Sequence, residues 1–312
     1  MVTPIRFLRP VLELLGNNLH ILPATGGAVE DLQHPDVEEI EDTLINRELS
    51  EVTAFAETPT PSPHQLYRPT PPLPRQERHL FRFFIDGSIR TYYLGTGIEG
   101  VRSFPIQLAQ IGAAVIHRAD DGTLSVFDDR QQILLLIPTG GRGVSDTVWQ
   151  QLKKFRSPDG LFEPIDITVP DVISGQESDT VDLRNKGGAK ARHRMHELEV
   201  ELIQATDGLR NENTWLILDG AVKLDDFIKA PYLIGVAKSF RKDPQFYFGR
   251  RRREHKDVTA LLAGLPYAHR TVAFSAYNGQ VAFWYVRLRE QRELDYPLMG
   301  VVKVELPRPE RT

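Results

Sequence analysis

Seven prolines fall within the eighteen residues from Thr58 to Arg75, and they constrain the fold of this chain more than any other local feature. Proline has no backbone N–H and fixes φ at about −65°, so this stretch cannot lie inside a helix or a central strand. We interpret residues 57–78 as an extended, proline-rich linker, with a docking peptide for a partner as the alternative. The linker predicts an N-terminal segment, 1–56, and a main domain, 79–312.

The N-terminal segment has two amphipathic helical patterns. Apolar residues recur at helix-like spacing between Ile5 and Leu15, which predicts a first helix. A second pattern, from Val37 to Phe55, is strongly acidic. We therefore expect residues 1–56 to be an acidic helical segment.

The composition excludes several classes of function. The chain has 312 residues, 41% of them apolar, and a formal net charge of −4, so a nucleic-acid site would have to be a local patch. The absence of cysteine excludes disulfides, cysteine-ligated zinc and thiol catalysis, and it fits a reducing cytoplasm. No apolar run reaches the roughly 20 residues of a membrane helix, and no signal-peptide pattern is present. We expect a cytoplasmic protein without membrane contact.

The main domain combines many short apolar strands with one long helix. Gly87-Ser88 separates the strands His79–Asp86 and Ile89–Gly95, which predicts a hairpin. The clearest helix is predicted over 190–209. Other strands are predicted at 112–117, 132–138, 214–219, 232–238, 271–276, 281–288 and 300–306. This order predicts an α/β fold with a mixed β-sheet flanked by helices.

Two of the apolar strands end in an Asp-Gly pair, at Asp86 and at Asp219. An aspartate after four or five core residues lies where a central strand leaves the sheet, and open α/β sheets bind ligands there. The glycine permits a sharp turn or a close approach to the backbone. The alternative is an ordinary strand-end turn at each position.

The long helix carries glutamates directly before the Asp219 strand. On a helical wheel Glu199 lies on the packed side, Glu197 faces outward and Glu201 lies at the margin of the apolar stripe. A carboxylate on a packed face must be paired, protonated or bound to a cation. Together with Asp86 and Asp219 it would form an oxygen-ligand site for Mn²⁺ or Mg²⁺. The alternative is a salt bridge from Glu199 to Arg192 or Arg194.

Basic residues follow the strand 232–238. Lys238, at its end, could neutralise charge in a transition state, or it could form a structural ion pair with Asp219 or Asp243. Aromatic residues are interleaved with the cations beyond it, which is typical of contact with a phosphate backbone and unpaired bases, although a solvated loop would look the same. The cations are Arg241, Lys242, Arg250, Arg251, Arg252 and Arg253, and the aromatic residues are Phe240, Phe246, Tyr247 and Phe248.

These segments, taken in order, resemble the NurA nuclease family, whose members work with the hexameric ATPase HerA at DNA ends. The resemblance rests on FFIDGSIR (83–90), HELEVELIQA with WLILDGAV (196–222), IGVAKSF (234–240), VAFWYVRL (281–288) and MGVVKVELP (299–307). It implies an RNase H-like fold, Mn²⁺-dependent DNA cleavage and a homodimer docked on a translocase ring.

The resemblance also implies roles for single residues. Asp86, Asp219 and a helix glutamate, Glu199 before Glu201, would be metal ligands, and Lys238 matches the strand-end lysine of the family. The chain departs from the family in having no histidine after His269 and in carrying Lys303 where arginine is expected.

Two other functions fit part of the pattern. A non-catalytic, nuclease-like subunit could bind DNA or regulate a motor with the same fold. An actin-like phosphotransferase also has an Asp-Gly hairpin in its first strand, but the sequence lacks repeated phosphate-binding turns in two equivalent halves.

Overall fold

The computed structural model describes residues 8–24, 29–30, 51–57, 65–71, 79–157, 160–168, 183–222, 230–249, 254–293, 295 and 298–307. Within these ranges the chain is a mixed α/β protein, in which a large mixed β-sheet is flanked by few helices. None of the helices in these ranges is long and apolar enough to cross a membrane.

The strands and helices follow the chain in this order. The strands are β1 (His20–Pro23), β2 (Val29–Glu30), β3 (Glu51–Val52), β4 (Tyr67–Pro69), β5 (Phe81–Glu99), β6 (Arg102–Arg118), β7 (Leu124–Ile137), β8 (Phe162–Asp166), β9 (Trp215–Asp219), β10 (Leu233–Ala237), β11 (Gln245–Phe248), β12 (Glu254–Asp257), β13 (His269–Thr271), β14 (Phe274–Ala276), β15 (Val281–Arg287) and β16 (Val301–Pro307). The helices are α1 (Arg9–Asn18), α2 (Asp146–Lys154), α3 (Leu183–Ala205) and α4 (Val258–Ala263).

The chain divides into two compact units. The first unit contains residues 1–44, 87–114 and 129–201, and the second contains 45–86, 115–128 and 202–312. Each unit is therefore assembled from three segments of the chain.

The first unit is built on the strand order β5-β6-β7-β8, and β1 and β2 also pair with β5. β7 and β8 are parallel, whereas β1 runs antiparallel to β5. Helices α1 and α2 contribute to its core, which includes Leu15, Leu135 and Leu152. Charge supports α2, because Asp146 lies in its first turn and two lysines lie in its last turn.

The second unit is built on the strand order β4-β13-β15-β16-β10-β9-β5. At one side of this order β5, β9 and β10 are parallel, and β10 then pairs antiparallel with β16. A second, three-stranded sheet has the order β12-β11-β3. The core of the second unit includes Phe246, Phe274 and Tyr285. Asp257 caps α4 by accepting a hydrogen bond from the backbone N–H of Ala260 at 2.7 Å.

The hairpin predicted at Gly87-Ser88 is wrong. β5 continues through both residues, and the chain turns instead at Gly100, whose φ of +63° suits a glycine. Gly87 serves a different purpose, since a Cβ on it would lie 2.6 Å from Glu199 Oε1 and 2.9 Å from Met195 Sδ. The glycine is needed for a close approach to the strand backbone and not for a turn.

The region before β5 also differs from the prediction. The first helix is present as α1, but Glu51–Val52 at the end of the second helical pattern form a strand, and residues 37–50 lie outside the described residues. Part of the predicted linker belongs to the second unit, in whose core Leu66 is fully buried. There β4 pairs with β13 at one end of the strand order, a place that tolerates proline.

We predict that Gly87→Ala lowers the free energy of unfolding by about 1 kcal/mol, because the ends of the Glu199 and Met195 side chains must shift to admit the added methyl group. Gly16→Ala in α1 is the matched control in the same unit. Its Cβ meets nothing within 4 Å, so the helix should gain about 0.5–1 kcal/mol. Urea unfolding measures both, and equal effects of the two substitutions would contradict the close approach at Gly87.

Candidate functional site

Two aspartates of the second unit lie on neighbouring parallel strands in register: Asp86 lies within β5, which does not end there, and Asp219 is the last residue of β9. β5 pairs with β9 through Ile85 and Leu218, and Asp86 and Asp219 come one residue further along each strand. Since side chains alternate along a strand, both aspartates lie on the same face. Neighbouring strands are separated by about 4.8 Å, so the two carboxylates start from adjacent backbone positions. Asp86 is exposed and Asp219 is half-buried.

A third parallel strand brings a lysine to this pair. β10 pairs with β9 through Val236 and Asp219, and Lys238 follows directly after β10. Lys238 Nζ donates to Asp219 Oδ2 at 2.7 Å. The hydrogen bond and the charge of Asp219, with a smaller contribution from the charge of Asp86, raise the pKa of Lys238 above its ordinary value. The predicted ion pair between Lys238 and Asp219 is therefore confirmed.

The turn after Asp219 lies tightly against β10. Gly220 has a φ of +147°, and its backbone N–H donates to the Val236 carbonyl at 3.1 Å. A Cβ on Gly235 would lie 2.8 Å from the Gly220 carbonyl oxygen and 2.8 Å from Val222 Cγ2. The turn can cross β10 there because residue 235 has no side chain.

A buried ion pair on β16 holds the far end of this turn. The backbone N–H of Val222 donates to Glu305 Oε2 at 2.7 Å, and the other oxygen, Oε1, accepts from Lys303 Nζ at 2.5 Å. Burial is the largest single influence and would lower the pKa of Lys303, but the charge and the hydrogen bond of Glu305, together with the neighbouring Tyr285 and Tyr277, raise the pKa above its ordinary value. Burial also raises the pKa of the neighbouring Tyr285 to about 12, so its hydroxyl is neutral at physiological pH.

The glutamate preferred from the sequence belongs to the first unit. Glu199 is buried on α3, as the helical wheel predicts, and its Oε2 lies 3.1 Å from Nδ1 of the buried His196. Its Oε1 faces the backbone of Gly87, the residue that directly follows Asp86 in the chain. Glu201, the second choice, is exposed.

Arg194, one of the two partners considered for Glu199, is held elsewhere. Its guanidinium donates to Glu163 at 2.6 Å and to Glu197 at 2.5 Å.

The contact between Glu199 and His196 was not predicted from the sequence. The i,i+3 spacing on one helix face was the available signal, because residues three apart on a helix are neighbours.

The structure differs in part from the basic and aromatic patch predicted after strand 232–238. Arg241 donates to Asp243 at 2.8 Å and Lys242 is exposed, while Arg250, Arg251, Arg252 and Arg253 lie outside the described residues. Base stacking by Phe246 and Phe248 is wrong, because both rings are buried in the core of the second unit. The strand alternation of β11 explains this, since it turns both rings to one face and leaves Tyr247 to stack on His255 at 5.6 Å.

The structure thus brings together Asp86, Asp219 and Lys238 in the second unit, and it places Glu199 with His196 in the first. Across the described ranges, no group of three or more histidine, aspartate or glutamate side chains is positioned to hold a metal ion. Lys303 and Glu305, the pair behind the Asp219 turn, were not predicted as site residues. Their i,i+2 spacing on a strand places them on one face, but only the register with β10 connects them to the site.

No family model matches the chain, and no curated protein matches it. The resemblance to the NurA family therefore stays a prediction from the sequence motifs.

We predict that Asp219→Asn lowers the pKa of Lys238 toward the ordinary lysine value of about 10.4. Because the pKa of Lys238 is raised in the folded protein, its pairing with Asp219 stabilises the fold. This stabilisation is complete below the ordinary lysine pKa and is lost as the pH rises through the folded pKa. A pH titration followed by NMR of the lysine ε-carbons measures the change. Glu212→Gln, just before the other end of β9, is the control and should leave Lys238 unchanged. An identical Lys238 titration in the Asp219→Asn variant would contradict the pairing.

Proposed function

We propose that this protein is a divalent-metal-dependent DNA nuclease that hydrolyses phosphodiester bonds. The observation that carries the proposal is the register of β5 and β9, which puts Asp86 and Asp219 at adjacent positions on one face beside Lys238. Two carboxylates and a lysine on three neighbouring parallel strands form a site at which a metal ion and a phosphate can be bound together.

The donor chemistry fits Mn²⁺ or Mg²⁺. Asp86 and Asp219 offer hard oxygen ligands, and at adjacent positions they repel each other unless a cation lies between or beside them. Asp219 already binds a cationic group, since Lys238 Nζ donates to it at 2.7 Å, and the hydrogen bond and charge of Asp219, with a smaller contribution from Asp86, raise the pKa of Lys238. When bound, a divalent ion supplies an activated water and stabilises the leaving oxygen in phosphodiester hydrolysis.

Lys238 would act on the phosphate. Its side chain is 73% exposed, so the ammonium is free to leave Asp219 and bind an incoming non-bridging oxygen. A lysine used in this way acts as a mobile point charge. Asp219 would at the same time exchange the ammonium for the metal ion.

The remaining assignments extend this site and stay predictions. Glu199, or Glu201 in second place, would complete the metal ligands, and Arg241, Lys242 and Arg250 to Arg253 would guide the DNA. An RNase H-like arrangement, a HerA-like hexameric ATPase as partner, a homodimer, a role in DNA end processing and a cytoplasmic location follow from the family resemblance and the composition. They are proposed together with the activity.

A non-catalytic DNA-binding or motor-regulating subunit is the second candidate. The observation in its favour is the direct ion pair between Lys238 and Asp219, which neutralises the aspartate without a metal ion. A structural ion pair of this kind needs neither metal nor cleavage. Metal dependence and cleavage therefore separate the two functions.

We predict that the purified full chain cleaves labelled single- or double-stranded DNA with Mn²⁺ or Mg²⁺ and not with EDTA. Asp219→Asn should lower cleavage at least about a hundredfold, the smaller end of what a positioned catalytic group contributes, while DNA binding is retained. Glu212→Gln, an exposed acid just before β9, is the control and should cleave like the wild type. The assay includes arms with and without a HerA-like ATPase. DNA binding without cleavage by the wild type in every arm would favour the non-catalytic subunit.

A further inference from the structure

Glu305, a buried glutamate on β16, reaches the turn that follows Asp219. The side chain of Glu305 is 8% exposed and that of Lys303 is 14% exposed, so this ion pair lies in the interior of the second unit. Placing two charges in a protein interior is unfavourable unless each finds good partners, and hydrophobic residues of similar volume often stabilise as well. The pair therefore calls for an explanation beyond stability.

The contacts of Glu305 point to the Asp219 turn. One carboxylate oxygen binds Lys303, and the other accepts the backbone N–H of Val222, three residues after Asp219. Glu305 is the register partner of Gly235 on β10, and the absence of a side chain at Gly235 leaves the room that the turn occupies. The turn is thus fixed at one end by β9 and at the other by Glu305.

Lys303 in turn fixes the orientation of Glu305. Its Nζ lies 2.5 Å from Glu305 Oε1 and 4.8 Å from the centre of the Phe283 ring, so the ammonium has a carboxylate and an aromatic face as neighbours. Tyr285 is its register partner on β15. Held in this way, the carboxylate presents Oε2 to Val222 in one orientation.

We infer that Glu305, oriented by Lys303, is a positioning residue that holds the turn presenting Asp219. The inference rests on the proposed function for the role of Asp219 and goes beyond it by assigning the residues behind the turn. Partners that orient a metal ligand affect metal affinity, and their removal typically weakens binding about tenfold to a hundredfold. Glu305 acts here through the backbone of the turn and does not touch the metal.

The test separates positioning from stability with two variants of the full chain. Both carry Lys303→Met, so neither leaves a charged lysine buried without a partner. One adds Glu305→Gln, which keeps an oxygen that can accept from Val222, and the other adds Glu305→Leu, which keeps the approximate volume but has no acceptor. Thermal unfolding without metal shows whether both fold.

Two measurements then decide. Hydrogen exchange followed by mass spectrometry should be faster over 219–222 in the leucine variant than in the glutamine variant. Calorimetric titration with MnCl₂ should show binding about tenfold or more weaker in the leucine variant, with the glutamine variant close to the wild type. A loss of global stability alone would not weaken Mn²⁺ binding in one variant and not in the other, provided that both variants are folded.

The outcomes also distinguish this inference from the proposed function. Equal exchange in the two variants overturns the positioning role, and so does faster exchange with equal Mn²⁺ affinity. If the wild type binds no Mn²⁺, the proposed metal-dependent function is overturned. In that case hydrogen exchange over 219–222 alone tests whether Glu305 positions the turn.

Discussion

The parallel pairing of β9 with its two neighbours is the constraint on which the candidate site depends. The register with β5 aligns Asp86 with Asp219, and the register with β10 brings Lys238 to Asp219. A shift of one residue in the first pairing would turn one aspartate to the opposite face of the sheet, and a shift in the second would turn Lys238 away from Asp219, because side chains alternate along a strand. The buried positions Leu216 and Leu218 fix this register, since the same shift would expose them.

Two of the strands around the site, β9 and β10, could be predicted because they are short, apolar and bounded by polar residues. The runs before Asp219 and Lys238 are such segments, and the structure has β9 and β10 there. The burial of Glu199 was also predictable, since helical periodicity fixes its angle to the apolar stripe. In each case the pattern that predicts the structure lies within a short local stretch of sequence.

Long-range contacts were not predictable in the same way. The sequence does not say whether a glycine makes a turn or a close approach, and at Gly87 the decision depends on Glu199, more than a hundred residues away. The rings of Phe246 and Phe248 have the same spacing whether they meet bases or a core. Leu66 is buried within a proline-rich stretch because an apolar surface of the second unit accepts it. The role of Glu305 depends on its register with Gly235.

Two strand glycines show how backbone and side-chain requirements are combined near the carboxylates. A glycine inside a strand weakens it, so its presence needs a compensating contact. In the first unit Gly87 admits the carboxylate of Glu199, and in the second unit Gly235 admits the turn that follows Asp219. Both glycines lie in β-strands, and neither has a positive φ, so what they provide is space. Each unit thus gives up side-chain packing in a strand where a carboxylate, or the turn that presents one, lies against the backbone.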